Sequence, residues 1–408
     1  KVPCYHLYTQ TIPLYVFTLN PIPVLATVAS FSVVQISLMT LFVCLTVRVL
    51  TIQAKRNTTS QYTSFVLKMN ETKCELAYQL TYQPVYRASQ FYTFGVSFLA
   101  VPALLTFIYK RILSLSFHGN LRVLLVAYFS SVLLYAIVLC FAFGYHAFAP
   151  FFIKSECGLI INKTLFQIGH IIVLFCLTFP MMFPIGFTIE RFVATAMSSS
   201  YENTRTLLGP ILVVVLSLPN FYTFYRIFEN EKFEDIFISF LMLPSTSATQ
   251  FTNYLWTLLY IKFGNTMANM VLLIVHSILK PQYQKSSLTT KYAMEEITKT
   301  SKFTMTITFT HLLFFGIYTA CSLFVRVLGQ QFFGSFINFY VARGINCAVP
   351  TYNLVIVIVG FISLYHLNRK RNQAVTTNVQ MMSIGSEGAK NYDEAINNQW
   401  ATVVSGKV

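Results

Sequence analysis

Charge is scarce in this chain, and the scarcity excludes most soluble folds. Only 11% of its 408 residues are Asp, Glu, Lys or Arg, against about 25% in soluble domains. Within the long apolar runs Glu190 is the only carboxylate, so no proton relay or cation pathway assembles. The eight cysteines include no Cys-x-x-Cys pair, which argues against a zinc site. No nucleophile–His–acid set, metal-ligand cluster or Gly-rich phosphate loop is present, so the chain reads as a non-enzyme with no metal and no cofactor. Long internal repeats are missing too, which counts against transporters built from duplicated halves.

What is abundant is apolar sequence. Hydrophobic residues make up 55% of the chain, Phe and Tyr prominent among them. Seven stretches of roughly 20–28 residues lie between Phe91 and His366, each long enough to cross a bilayer as a helix that satisfies its own backbone. They are placed at 90–109, 121–145, 164–189, 207–227, 252–279, 303–326 and 344–366. The expected fold is an all-α integral membrane protein, a seven-transmembrane helical bundle spanning 90–366. A segment at 71–89 precedes the bundle, and a tail occupies 367–408, polar and flexible after Asn372. Residues 288–297 read as a short amphipathic helix between the fifth and sixth spans. Residues 1–70 form an extension with one more apolar run at 24–47, open to reading as a signal-anchor, an interfacial segment or foreign sequence. The chain opens on Lys1, which reads as a fragment.

The net charge of +15 is carried largely by short loops beside apolar runs. There it sets topology and meets anionic membrane lipids, and nucleic acid is not an expected partner. Thirteen basic residues, from Lys110 to Arg371, fall on one side of the spans, and six, from Lys154 to Arg343, on the other. The richer side is expected in the cytosol, with 71–89 outside and the tail inside. Of three Asn-x-Ser/Thr sequons, those at Asn70 and Asn162 fall on the outer side and are glycosylation candidates.

Several segments taken in order resemble the nematode serpentine receptor class beta chemoreceptors. They are CELAYQLTYQPVYRASQFYTF (74–94), FHGNLRVLLVAYF (117–129), IGFTIERFVATAMSSSYENTRTLLGP (185–210), SKFTMTITFTHLLFFGIY (301–318), PTYNLVIVIVG (350–360) and GSEGAKNYDEAINNQW (385–400). The resemblance implies a GPCR-like seven-helix receptor of the plasma membrane, in the sensory neuron or its cilium. It implies two partners, a heterotrimeric G protein and a small-molecule ligand. A ligand-gated channel of inverted topology is the alternative, and Arg369-Lys370-Arg371 argues for a cytosolic tail against it.

Site candidates follow from position. Glu190-Arg191 ends the third span, where an acid–arginine pair serves as a bistable switch at a wet membrane edge. Tyr352, Lys280 and Lys302 join it as coupling candidates. Pro180, Pro184 and Pro350 are hinge candidates. Lys262 is costly in lipid and must face the bundle or an interface, while His170 and His311 are read as satisfied core histidines. Cys74 and Cys157 lie on the oxidising side and are the first choice for a disulfide, with Cys347 the rival partner. The second outer loop, 228–250, has no cysteine.

Overall fold

Proline, polar caps and the switch from apolar to polar sequence decide where each helix begins and ends. The computed structural model describes residues 73–397 except 116, 154, 199–200, 202–205, 232, 234–236, 245, 284–287, 334, 346, 384–385, 387–388, 391 and 395–396. The 24–47 run and Asn70 lie outside the described residues. Among the described residues there is no strand.

The helices are α1 (Lys73–Tyr82), α2 (Pro84–Phe107), α3 (Gly119–Phe152), α4 (Lys163–Thr178), α5 (Phe183–Ala196), α6 (Leu208–Phe228), α7 (Ala248–Tyr283), α8 (Leu288–Phe332), α9 (Phe336–Gly344) and α10 (Ala348–Ser383). They supply seven segments long and apolar enough to cross a membrane: Pro84–Ile112, Gly119–Phe152, Cys157–Ala196, Leu208–Phe228, Ala248–Leu279, Ala293–Arg326 and Ile337–Arg369. The protein is a multi-pass membrane bundle. The end that carries α1 and the α9–α10 junction is called outer below.

Several boundaries depart from the hydropathy reading. The first span starts at Pro84, six residues before position 90, because proline at the first helical position lacks only an N–H that would be unpaired anyway. The third span is not one helix. Pro180 and Pro184 each remove a backbone donor, and the chain passes through a tight turn at Phe179–Met181 between α4 and α5. The amphipathic stretch 288–297 is not a separate helix but the inner end of α8, since no Pro or Gly interrupts the chain between it and the sixth span. The stretch expected as a flexible tail is helical as far as Ser383.

The core lies between α2, α3, α5, α8 and α10, around Phe107, Leu124, Tyr128, Phe129, Phe187, Phe303 and Ile356. The Phe107 ring meets Phe129 edge-on at 4.9 Å and Phe361 at 4.8 Å. At the inner end α6 starts directly on α3. A Cβ on Gly209 would lie 2.5 Å from the Asn120 carbonyl oxygen, so only glycine fits there. At the outer end α1 is tied by a Cys74–Cys157 disulfide and packs Leu76, Ala77 and Leu80 against Tyr86, Ile238 and Val341.

Candidate functional site

Polar side chains collect at three depths of the bundle. The innermost group is built on α5. Glu190 and Arg191 are both buried, at 0% and 2% exposure. Arg191 Nε donates to Glu190 Oε2 and Nη2 to Oε1, each at 2.5 Å. Nη1 donates to the Thr300 hydroxyl of α8. The Tyr201 hydroxyl donates to Glu190 and receives Asn120 Nδ2 at 3.5 Å. Asn120 Oδ1 in turn accepts the Gly209 N–H at 3.0 Å. Thr195, one turn beyond Arg191, donates to its carbonyl at 2.7 Å and lies 2.7 Å from His276 Nε2 of α7. Burial, then the charge of Glu190, pushes the Tyr201 hydroxyl up from its usual range and keeps it a donor. One arginine thus ties the third span to the sixth, with the fifth joined one turn away.

Lys302 stands exposed two residues past Thr300 on α8, and Lys280 lies near the inner end of α7. Tyr352 does not belong to this group. It sits mid-span on α10, with its ring stacked on His311 at 4.8 Å and its hydroxyl bonded to that of Tyr128.

That contact opens the middle group. Lys262 on α7 is 3% exposed. Its Nζ lies 2.9 Å from His311 Nε2 and 4.8 Å from the centroid of the Phe315 ring. An ammonium there donates to Nε2, which leaves the proton of a neutral imidazole on Nδ1. Nδ1 lies 3.5 Å from the Tyr128 hydroxyl. Lys262 faces the bundle, and the sequence-predicted lysine and histidine are partners.

The outer group holds down the second outer loop. The Phe240 N–H donates to His146 Nε2 at 3.3 Å, and its carbonyl accepts His170 Nδ1–H at 2.7 Å. The Ile161 N–H donates to the Phe237 carbonyl at 3.0 Å, and the Phe237 ring stacks on Phe166 at 3.6 Å. Phe233 takes a φ of 50°, a conformation costly for a bulky side chain. Its N–H is fixed by Glu231 at 3.2 Å, and its ring stacks on Phe228. Two histidines and an aromatic stack hold this loop, which has no cysteine.

The remaining candidates are dispersed. Pro180 lies in the turn that splits the third span and Pro184 in the first turn of α5. The Pro184 carbonyl accepts from Asn265 Nδ2 at 3.1 Å and from Thr188. Pro350 lies in the first turn of α10, and α9 ends ahead of it at Gly344. Asn162 is exposed and caps α4, accepting the Thr164 N–H at 2.9 Å. Cys347 is free. Among the described residues no three His, Cys, Asp or Glu side chains gather as metal ligands would.

Sequence reasoning missed Asn120, Tyr128, His146, Tyr201 and Thr300. Asn120 and His146 carried a signal, as polar residues at the ends of an apolar run. The others are ordinary residues whose importance arises only from packing.

Residues 82–315 match the family model described as "Serpentine type 7TM GPCR chemoreceptor Srb". The chain is similar to serpentine receptor class beta-13 of Caenorhabditis elegans, with 61% identity over 337 residues, 82% of this chain and 98% of that protein. It is 57% identical over 338 residues to serpentine receptor class beta-5 of the same organism, covering 82% and 98%. Serpentine receptor class beta-6 of that organism is more distant, at 34% over 334 residues, covering 82% and 99%.

Proposed function

The chain belongs to the serpentine receptor class beta family, and from that membership we propose that it is a G-protein-coupled chemoreceptor. It detects an external small molecule and signals across the plasma membrane, in a sensory neuron or its cilium. It works by binding and not by catalysis. The observation that carries this reading is the Arg191 network, which closes the inner ends of the third and sixth spans on each other. A closed arrangement of this kind is what a resting switch requires. A ligand that binds the open arrangement more tightly shifts the population toward it. The inner ends of α7 and α8 then move away from α5, Thr300 leaves Arg191, and the guanidinium faces a heterotrimeric G protein beside Lys280 and Lys302.

Nucleotide exchange on a panel of heterotrimeric G proteins, measured in membranes bearing the receptor, tests this. Thr300→Val cuts the tie between spans and should raise exchange without ligand, and Arg191→Ala added to it should abolish the gain. If both variants match the wild type on every G protein while reaching the surface normally, the reading fails.

A further inference from the structure

We propose that Lys262 is the anchor for an organic acid, so that the molecule this receptor detects carries a carboxylate or an equivalent anionic group. The inference rests on the receptor reading and gives its ligand a chemical class.

Lys262 has no acidic counterpart in the bundle. Lys262 is buried mid-span, and its polar partner is a histidine nitrogen, which accepts a hydrogen bond but brings no negative charge. Helices α2, α3, α4, α6, α7, α9 and α10 contain no Asp or Glu at all. Glu190 on α5 is committed to Arg191 and Tyr201. The remaining acids on the spanning helices, Glu295 and Glu296, lie at least fifteen residues, about 22 Å of helix, inward of His311. The contrast with Arg191 is direct: one buried basic side chain has its carboxylate and the other has none. A cation at that depth is expensive unless it is paired, and the bundle offers no pair.

Two further observations bear on the ligand. Arg326 lies on the same α7–α8 seam, fifteen residues outward of His311. It donates to the Ala248 carbonyl at 3.2 Å and to the Thr252 hydroxyl, both neutral acceptors. Positive charge therefore marks the outer mouth of the seam as well as its depth, an arrangement that draws anions inward. Tyr135, on the same face of α3 as Tyr128 and about 10 Å further out, is buried with a hydroxyl that has no partner. It is a donor that no other side chain uses.

The test is thermal unfolding of the full-length receptor purified in detergent, titrated with sodium butanoate and sodium hexanoate at constant ionic strength. The matching alcohols and amines serve as controls. The acids are expected to raise the midpoint of the wild type by about 5 °C at concentrations far above their Kd. They should do the same for Lys262→Arg, and leave Lys262→Gln and Lys262→Met unmoved. The alcohols and amines should give no such shift. An acid-dependent rise that persists in Lys262→Gln, or no rise in the wild type, overturns the proposal. Lys262→Gln keeps the test open if the methionine variant does not fold. Unfolding involves no G protein, so a failed exchange assay and a failed titration point to different faults.

Discussion

Consecutive residues on a helix point about 100° apart, so Glu190 and Arg191 meet only because the long guanidinium folds back along α5. Thr300 holds its far side and Tyr201 holds the carboxylate. A buried pair of this kind adds little net stability, because desolvation offsets the attraction, yet removing one partner strands the other charge. Glu190→Gln is expected to destabilise the bundle by about 3–5 kcal/mol. Adding Arg191→Met should recover much of that loss, and midpoints of the two single variants and the double variant measure the coupling. Strictly additive losses would mean that the two side chains do not depend on each other. The candidates themselves were legible because a charge or imidazole in apolar sequence stands out, as Glu190, Arg191, Lys262, His170 and His311 do. Their partners were not legible. Thr300 lies 109 positions from Arg191, and Tyr128 lies 183 from His311; nothing local in either sequence marks the contact.

At the level of elements, the second outer loop and the α1 segment are held by different devices, and each device predicts its own sensitivity. Burial tends to raise the Glu231 carboxyl, but the Thr246 hydroxyl, Ser247 and the Phe233 N–H outweigh it and hold the group below its ordinary 4.5. A group with a depressed folded value contributes fully above the unfolded value and loses its contribution as the pH falls through the folded one. Protection of the Phe233 amide against hydrogen exchange, taken relative to the intrinsic rate at each pH, should therefore fall as the pH drops below 4.5, and Glu231→Gln should lack that protection at every pH. An unchanged profile in that variant would show that the two histidines and the aromatic stack hold the loop without Glu231. The α1 segment depends instead on Cys74–Cys157, which closes a separation of 83 residues. Loss of such a bridge costs about 2–5 kcal/mol, so reductant should lower the unfolding midpoint of the wild type and leave Cys74→Ser unchanged. The spans that bear these devices could be read from hydropathy, because a bilayer demands long apolar helices. Their ends could not. The inner turns of α8, LTTKYAMEEITKTSK, expose Lys291, Glu295 and Lys302 on one face and bury Met294, Ile297 and Thr300 on the other, and a hydropathy window stops at 303 while the helix begins at Leu288. The split of the third span at Pro180 and Pro184 was signalled only as two weak points, since prolines in spanning helices sometimes merely bend them.

At the scale of the whole molecule, orientation decides which face Arg191 addresses. Three observations of different kind agree on it. Basic residues crowd the end that holds Lys110, Arg111, Lys302 and Arg369, and such residues are retained in the cytosol. The Cys74–Cys157 bridge lies toward the opposite end, and disulfides persist on the oxidising side of a membrane. Asn162, an exposed sequon residue, lies five positions from Cys157. Sugar is therefore expected on Asn162 in a cell line, visible as a glycosidase-sensitive shift that Asn162→Gln removes. An epitope tag at the C-terminus should be reached by antibody only after permeabilisation. The two readouts have to agree, because α4 to α10 thread five spans between Asn162 and the tail, and an odd number of crossings puts them on opposite faces. A tag exposed on intact cells with no sugar at Asn162 would invert the bundle. Arg191 would then face away from the cytosol, a G protein could not reach it, and a channel of inverted topology would become the better account of the same seven helices.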